Sequence, residues 1–186
     1  EWTLSTHWAQ IPGTSNLYRH YTQGNRYGWC SGTSQANPTA AGGVAAIYEY
    51  YNVTYGAPPS PAMAKALVIN TAKDVGTQDI PNQNEGWGRM YLPTVVNPPA
   101  KFIVKDQLTE FTTSGTYNEF KFSYEKNTQP IKVTLAYTDK NALSGAAVAL
   151  INNLDLRITS PTGGVFHGNA FTAGVTPVGT NPLAVF

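Results

Sequence analysis

Ser34 lies in the segment Gly32-Thr33-Ser34, directly before a long run of small apolar residues. A serine hydroxyl becomes an effective nucleophile only when a general base takes its proton and hydrogen-bond donors stabilise the oxyanion that forms. The N-terminus of a helix supplies such donors, because its first backbone N–H groups have no acceptor within the helix. The segment is therefore typical of a nucleophile turn. The simpler alternative is that Ser34 or Thr33 acts as an ordinary helix N-cap.

The elements that would position Ser34 follow from the spacing of apolar residues on either side of it. The stretch that begins at Tyr27 predicts a short strand, and apolar residues after Ser34 recur at helical spacing to about Tyr48. Gly42 and Gly43 would permit close packing of this helix against a neighbouring element. The sequence therefore predicts a strand, a glycine turn and a buried helix.

A second helix is predicted to follow the first. Ser60 is its expected N-cap, Pro61 suits the first helical position, and the apolar residues continue to about Ala72. The segment from Asn84 to Leu92 then predicts a glycine-punctuated turn and a short strand.

The character of the sequence changes at Pro98-Pro99, and we predict a domain boundary near residue 100. Beyond it, three segments alternate apolar and polar residues with the period of two that is typical of strands: NEFKFSYE (118–125), IKVTLAYTD (131–139) and LDLRITS (154–160). The sequence SPTGG (160–164) is a strong turn signal. This part of the chain therefore predicts an antiparallel β sandwich.

The composition excludes several classes of function. Charged residues make up 12% of the 186 residues, the net charge is +1, and neither sign is clustered, so no binding to nucleic acid is predicted. The apolar runs are too short to span a membrane. A single cysteine, Cys30, excludes an internal disulfide framework. The low charge and an N-x-T sequon at Asn52 favour a secreted, extracellular protein.

Residues 12–47, PGTSNLYRHYTQGNRYGWCSGTSQANPTAAGGVAAI, resemble the nucleophile segment of subtilisin-like serine peptidases. In that family a Pro-Gly turn precedes a Gly-Asn-x-Tyr-Gly hairpin, and Gly-Thr-Ser-x-Ala-x-Pro then opens a long buried helix. The segments ALVINTAKDVG (66–76) and NQNEGWGRMYLPTVVN (82–97) are similar to the last helix and closing segment of the same catalytic domain. Residues from 101 onward, notably LINNLDLRITSPTGGVFHGNAF (150–171), are similar to the C-terminal jelly roll of some subtilases, especially the larger bacterial alkaline serine peptidases.

The resemblance implies a fold and a set of roles. Residues 1–100 would be the C-terminal portion of an α/β subtilisin-like catalytic domain, and residues 101–186 an incomplete all-β jelly-roll sandwich. Ser34 matches the nucleophile, and Thr33 matches the residue that supports the oxyanion site. Gly32, Cys30 and Gln35 match substrate-binding positions near the scissile bond. For Cys30, a small buried hydrophobic residue is the alternative interpretation.

The family's acid and base come far upstream of the serine, in the order Asp, His, Ser. None of His7, His20 and His167 stands at the Gly-Thr-His helix start that the family's base requires, so we interpret all three as ordinary polar residues. The family's oxyanion amide would also lie upstream. We therefore expect this chain to belong to a longer polypeptide, or to pair with a companion chain that carries the rest of the catalytic domain, and to be inactive alone.

No cofactor is required by this chemistry. Asp139 and Asp155, with the amides of Asn152 and Asn153, could supply oxygen ligands to calcium. The alternative, which we favour, is that Asp139 shapes a turn.

The sequence thus predicts a secreted serine endopeptidase that hydrolyses a peptide or protein substrate through an acyl-enzyme on Ser34. The alternative is a catalytically silent, subtilase-like structural or binding module in an extracellular assembly. Gln35 and Asn37 depart from the usual family residues and keep this alternative open. An unrelated β-sandwich adhesion protein is a third, more distant possibility.

Overall fold

In a computed structural model of the chain, the structure describes residues 3–6, 19–20, 27–98, 102–107, 110–123 and 131–171. Contacts divide the chain into two units, residues 1–47 and 48–186. The division falls inside the first helix. The predicted domain boundary near residue 100 stays a prediction, and contacts that cross it lie within the second unit.

Three short antiparallel strands precede the first helix: β1 (Thr3–Thr6), β2 (Arg19–His20) and β3 (Tyr27–Cys30). The strand order is β1-β3-β2, so β3 lies in the centre of this sheet. Thr3 pairs with Cys30, and His20 pairs with Gly28. The strand predicted at Tyr27 is therefore confirmed, and it ends directly before the turn that leads to Ser34.

Helix α1 (Thr33–Tyr55) confirms the predicted helix, but its burial only in part: Ile47 and Tyr51 are 1% and 7% exposed. Ala36, Ala41 and Gly42 are exposed, and a Cβ built on Gly42 would meet nothing within 4 Å. The prediction of a buried helix with close packing at Gly42 is therefore wrong for these residues. Helical spacing of apolar residues shows which face of a helix is apolar, whereas burial needs a second element to cover that face.

Helix α2 (Pro61–Thr71) begins at the predicted N-cap, Ser60, and has Pro61 at its first position. Its buried residues are Ala64, Ala66, Leu67 and Thr71. It contacts the short helix α3 (Leu92–Val96), whose Val95 is 2% exposed. The sequence did not predict α3, because five residues are too few to establish a helical period.

The loop between α2 and α3 is held by two isolated backbone bridges, Lys73 with Arg89 and Asn82 with Gly86. The short strand predicted here is thus reduced to a single bridge at Arg89. Gly88 must be glycine, because its φ is +99° and a Cβ would lie 2.8 Å from the carbonyl oxygen of Lys73. The loop therefore closes back on the end of α2.

Beyond residue 100, the described residues contain one hairpin, β4 (Arg157–Thr159) with β5 (Val165–His167). Its turn is the predicted one: the Ser160 N–H donates to the carbonyl oxygen of Gly164 at 2.8 Å, and Gly163 has φ +84°. One of the three predicted strands is therefore confirmed in part.

The other two predicted strands are not formed in the parts the structure describes, residues 118–123 and 131–139. Ile131, Val133 and Leu135 are 46%, 41% and 45% exposed. Alternation predicts an apolar face, but a strand needs a partner to form its ladder. The predicted jelly roll is therefore not confirmed.

Candidate active site

The turn between β3 and α1 is fixed by Gly32. Its φ of +144° lies in a region that residues with a side chain rarely adopt. Its carbonyl oxygen accepts hydrogen bonds from the Gln35 N–H at 3.2 Å and from the Ala36 N–H at 3.0 Å. The residue whose carbonyl accepts the first bond of a helix is its N-cap, so Gly32 caps α1. The alternative that Ser34 or Thr33 is the N-cap is therefore wrong.

Ser34 is the second residue of α1, and its side chain is exposed. In the described parts of the chain, its hydroxyl makes no hydrogen bond. Its backbone N–H belongs to the first turn, where helix geometry provides no acceptor. Pro38 lacks an N–H and leaves the carbonyl of Ser34 without its usual helical donor. Among the described residues, Ser34 therefore presents a hydroxyl and an amide without partners at the positive end of a helix.

The structure brings four of the five predicted site residues onto one turn. Thr33 is the first residue of α1 and is exposed, and Gln35 is half-buried. Gln35 folds back over the turn, since its Oε1 lies 3.2 Å from the position of a Cβ on Gly32. Cys30 ends β3, two residues before Gly32, and its side chain lies outside the described residues. The binding roles of these residues stay predictions.

The three histidines have different places in the chain. His20 ends β2 beside Gly28, although its side chain is not among those described. His7 lies outside the described residues, and His167 lies in β5 of the second unit. No histidine or carboxylate side chain in the described ranges hydrogen-bonds to Ser34. The prediction that the acid and base lie upstream stays a prediction.

Asp139 ties two segments of the second unit together. Its carboxylate accepts hydrogen bonds from the Ile151 N–H at 2.7 Å, the Asn152 side-chain amide at 2.8 Å and the Lys140 N–H at 2.7 Å. The backbone N–H of Asn152, followed by that of Ile151, lowers the pKa of Asp139 from 3.8 to about 2. Because N–H donors engage both carboxylate oxygens, this geometry disfavours the calcium interpretation; Asp139 links two segments 12 residues apart, and it shapes the local chain only through the Lys140 N–H.

Glu85 has a similar role that the sequence did not predict. Its carboxylate accepts hydrogen bonds from the Asn82 side chain at 2.9 Å and from the N–H groups of Val75 and Gly76 at 3.2 and 3.1 Å. The Asn82 bond is the main cause that lowers the pKa of Glu85. The Asn82 Oδ1 in turn accepts from the Glu85 N–H at 3.0 Å, so the Asn-x-x-Glu spacing was the available signal.

The described residues form neither a metal cluster nor a membrane-spanning helix. No group of three or more His, Cys, Asp or Glu side chains there is placed to hold a metal ion. Among the same residues, no helix is both long enough and apolar enough to cross a membrane. The turn that carries Ser34 is therefore the strongest candidate site in the described chain.

The turn from Gly32 to Gln35 lies inside a region that matches a known family. Residues 7–88 match the subtilase family. The matched region includes β3, both helices α1 and α2, and the loop that follows α2 up to Gly88. The turn from Gly32 to Gln35 therefore lies in the part of the chain that is similar to subtilases, and this match supports the α/β part of the predicted fold.

Two kinds of relative extend the comparison. Two extracellular serine proteases of Serratia marcescens are each 34% identical over 97 residues, which is 52% of this chain. The serine protease/ABC transporter B family protein tagA of Dictyostelium discoideum is 25% identical over 164 residues, or 76% of this chain. The chain spans 9% of the length of each of these relatives. At the level of the family, these matches support a serine peptidase.

Proposed function

We propose that this chain carries the nucleophile of a secreted, subtilisin-like serine endopeptidase, and that Ser34 is that nucleophile. One observation carries the proposal: Ser34 follows a glycine N-cap at the start of α1, with an exposed hydroxyl that no described residue engages. The subtilase match over residues 7–88 supports the same assignment. The word "extracellular" in the names of the Serratia relatives supports secretion.

The proposed reaction is acyl transfer to serine followed by hydrolysis. The Oγ of Ser34 attacks the carbonyl carbon of the scissile peptide bond while a histidine takes the hydroxyl proton, and an aspartate orients that histidine. The oxyanion accepts a hydrogen bond from the Ser34 N–H, and Thr33 supports the oxyanion site. The histidine then gives its proton to the leaving amine. Water finally attacks the ester on Ser34 and releases the acid product.

The proposal assigns the remaining functions to chain outside the described site. The histidine, the aspartate and the oxyanion amide would be supplied upstream in the same polypeptide or by a companion chain. Gly32, Cys30 and Gln35 would contact the peptide on either side of the scissile bond. The 186 residues alone would therefore be inactive. The region beyond residue 100 would belong to a jelly-roll domain, as the resemblance of residues 150–171 suggests.

Covalent labelling with a fluorophosphonate probe tests this proposal in the native, full-length protein. The reagent forms a stable bond only with a serine that an assembled base and oxyanion site activate. We expect peptide mapping to find the label on Ser34, and Ser34→Ala to abolish both labelling and peptide hydrolysis. Ser144→Ala removes another exposed serine and serves as the matched control that keeps both.

Absence of label at Ser34 in folded, full-length protein would overturn the proposal. It would favour the alternative, a catalytically silent subtilase-like module. Gln35 and Asn37, which depart from the family pattern next to the nucleophile, would then be the first positions to compare with active relatives.

A further inference from the structure

Ser60 at the start of α2 makes an unusual pair of hydrogen bonds to a distant carboxylate. Its backbone N–H donates to Oδ2 of Asp106 at 2.8 Å, and its hydroxyl donates to Oδ1 at 2.6 Å. The same hydroxyl accepts from the Met63 N–H at 3.0 Å, which is the ordinary N-cap bond. Ser60 is 8% exposed, so these bonds lie largely out of water. The backbone N–H and the hydroxyl of Ser60 are thus both hydrogen-bonded to Asp106, and the hydroxyl is also bonded to Met63.

This arrangement reproduces the two halves of a capping box with parts from two regions. In a capping box, the N-cap hydroxyl accepts from the N–H of the third helical residue, and a Glu or Gln at that third position accepts from the N-cap N–H. The third residue of α2 is Met63, which has no acceptor of this kind. Asp106, 46 residues further along the chain, accepts from the Ser60 N–H in its place.

Two other hydrogen bonds locate the same region against α2. At the far end of the helix, the Asn70 side-chain amide donates to the carbonyl oxygen of Lys132 at 3.2 Å and to Oγ1 of Thr134 at 3.0 Å. Residues beyond 100 therefore contact α2 at both of its ends.

We propose that Asp106 completes the N-terminal cap of α2 in place of a local capping-box glutamate, and thereby docks the region beyond residue 100 onto this helix. The first turn of α2 then depends on a carboxylate that the subtilase segment does not itself contain. Charge-assisted hydrogen bonds are about twice as strong as neutral ones, so this contact should anchor the docked region more firmly than the neutral bonds of Asn70 do. The inference concerns folding and stands independently of the proposed peptidase activity.

Hydrogen exchange of the full-length protein tests the proposal. We expect Asp106→Ala to speed amide exchange in the first turn of α2, at Met63 and Ala64, by about fivefold, which is the factor that a loss of about 1 kcal/mol gives. Exchange around Lys132 should rise as well, because the docked region loses its anchor. Asp155→Ala removes an exposed carboxylate of the same charge and should change neither. If Asp106→Ala does not fold, Asp106→Asn, which keeps one acceptor oxygen, should show a smaller change in the same direction.

A rescue variant separates the cap from a general loss of packing. Met63→Glu places the missing glutamate at the third helical position, and in the Asp106→Ala background it should restore slow exchange in the first turn of α2. Ala62→Glu brings the same charge to that turn at a position that does not form a capping box, so it should restore less. The proposal is overturned if Asp106→Ala leaves α2 exchange at the level of Asp155→Ala, or if the two glutamates rescue equally.

Discussion

Two serines stand at the starts of two helices, and their hydroxyl groups are used in opposite ways. Ser60 is the N-cap of α2, is 8% exposed, and its hydroxyl both donates to Asp106 and accepts from Met63. Ser34 is the second residue of α1, is exposed, and its hydroxyl has no partner among the described residues. Glycine serves as the cap of α1 instead.

The comparison shows that the position relative to the cap decides what a serine at a helix start can do. The hydroxyl oxygen of an N-cap serine accepts a hydrogen bond from a backbone N–H, so such a serine is a poor candidate for a catalytic nucleophile. Because Gly32 is the cap of α1, the hydroxyl of Ser34 is not used for capping, and the first N–H groups of the helix have no acceptor within it.

Gly32→Ala should have the largest effect on stability. A side chain at φ +144° is strained, and its Cβ would lie 3.2 Å from Oε1 of Gln35, so we expect a loss of about 1–3 kcal/mol in the free energy of unfolding. The start of α1 should also shift, which slows labelling of Ser34. Urea unfolding and the labelling rate of the full-length protein measure the two effects. Unchanged stability would mean that Gly32 does not set this turn.

Ser60→Ala and Ser34→Ala should separate stability from chemistry. Ser60→Ala removes the hydroxyl bonds to Asp106 and Met63, and we expect it to lower the free energy of unfolding by about 1–2 kcal/mol. Ser34→Ala should leave stability within about 0.5 kcal/mol, because no described group depends on its hydroxyl. Equal losses in paired urea titrations would contradict the contrast between the two serines.

Gly42→Ala tests the exposure of α1. Gly42 lies inside the helix, is exposed, and a Cβ there would contact nothing within 4 Å. Alanine should therefore raise the free energy of unfolding by about 0.5–1 kcal/mol through helix propensity alone. A thermal melt of the variant beside wild type measures the change. A loss of stability would instead indicate that another element packs against this face, as the sequence predicted.

The smallest effect concerns Asp139. Its pKa of about 2 in the folded state lies below the ordinary value of 3.8, so its contribution to stability is complete above about pH 4 and is lost as the pH falls toward 2. The stability difference between wild type and Asp139→Asn in urea should therefore shrink from pH 5 to pH 2. We expect a small effect because the carboxylate is partly exposed. A difference that stays constant with pH would contradict this role, and Asp155→Asn is the matched control.

The sequence predicted the local features of this fold well. The strand before Ser34, the long helix after it, the Ser60 cap and the turn at 160–164 are each encoded within a few neighbouring residues. The turn that we propose carries the nucleophile is equally local, since glycine, threonine and serine are consecutive. The sequence left open whether Ser34 is itself the N-cap of α1. The structure answers this, because the first helical hydrogen bonds go to the carbonyl oxygen of Gly32.

The features that the sequence did not predict depend on distant partners. Asp106 reaches Ser60 across 46 residues, and no local pattern marks that pairing. The segment from Ile131 to Asp139 alternates as a strand does, yet strand formation needs a neighbour that alternation does not supply. The apolar residues of α1 likewise predicted burial without identifying what would cover them.

The most direct test of the contrast compares Ser34 and Ser60 within one labelling experiment on the native, full-length protein. After treatment with the fluorophosphonate, quantitative peptide mapping gives the labelled fraction at each serine. We expect the label on the peptide that contains Ser34 and none on the peptide that contains Ser60, whose hydroxyl is buried and doubly bonded. A folded protein in which Ser34 stays unlabelled, or in which both serines react alike, would contradict the assignment of Ser34 as the nucleophile.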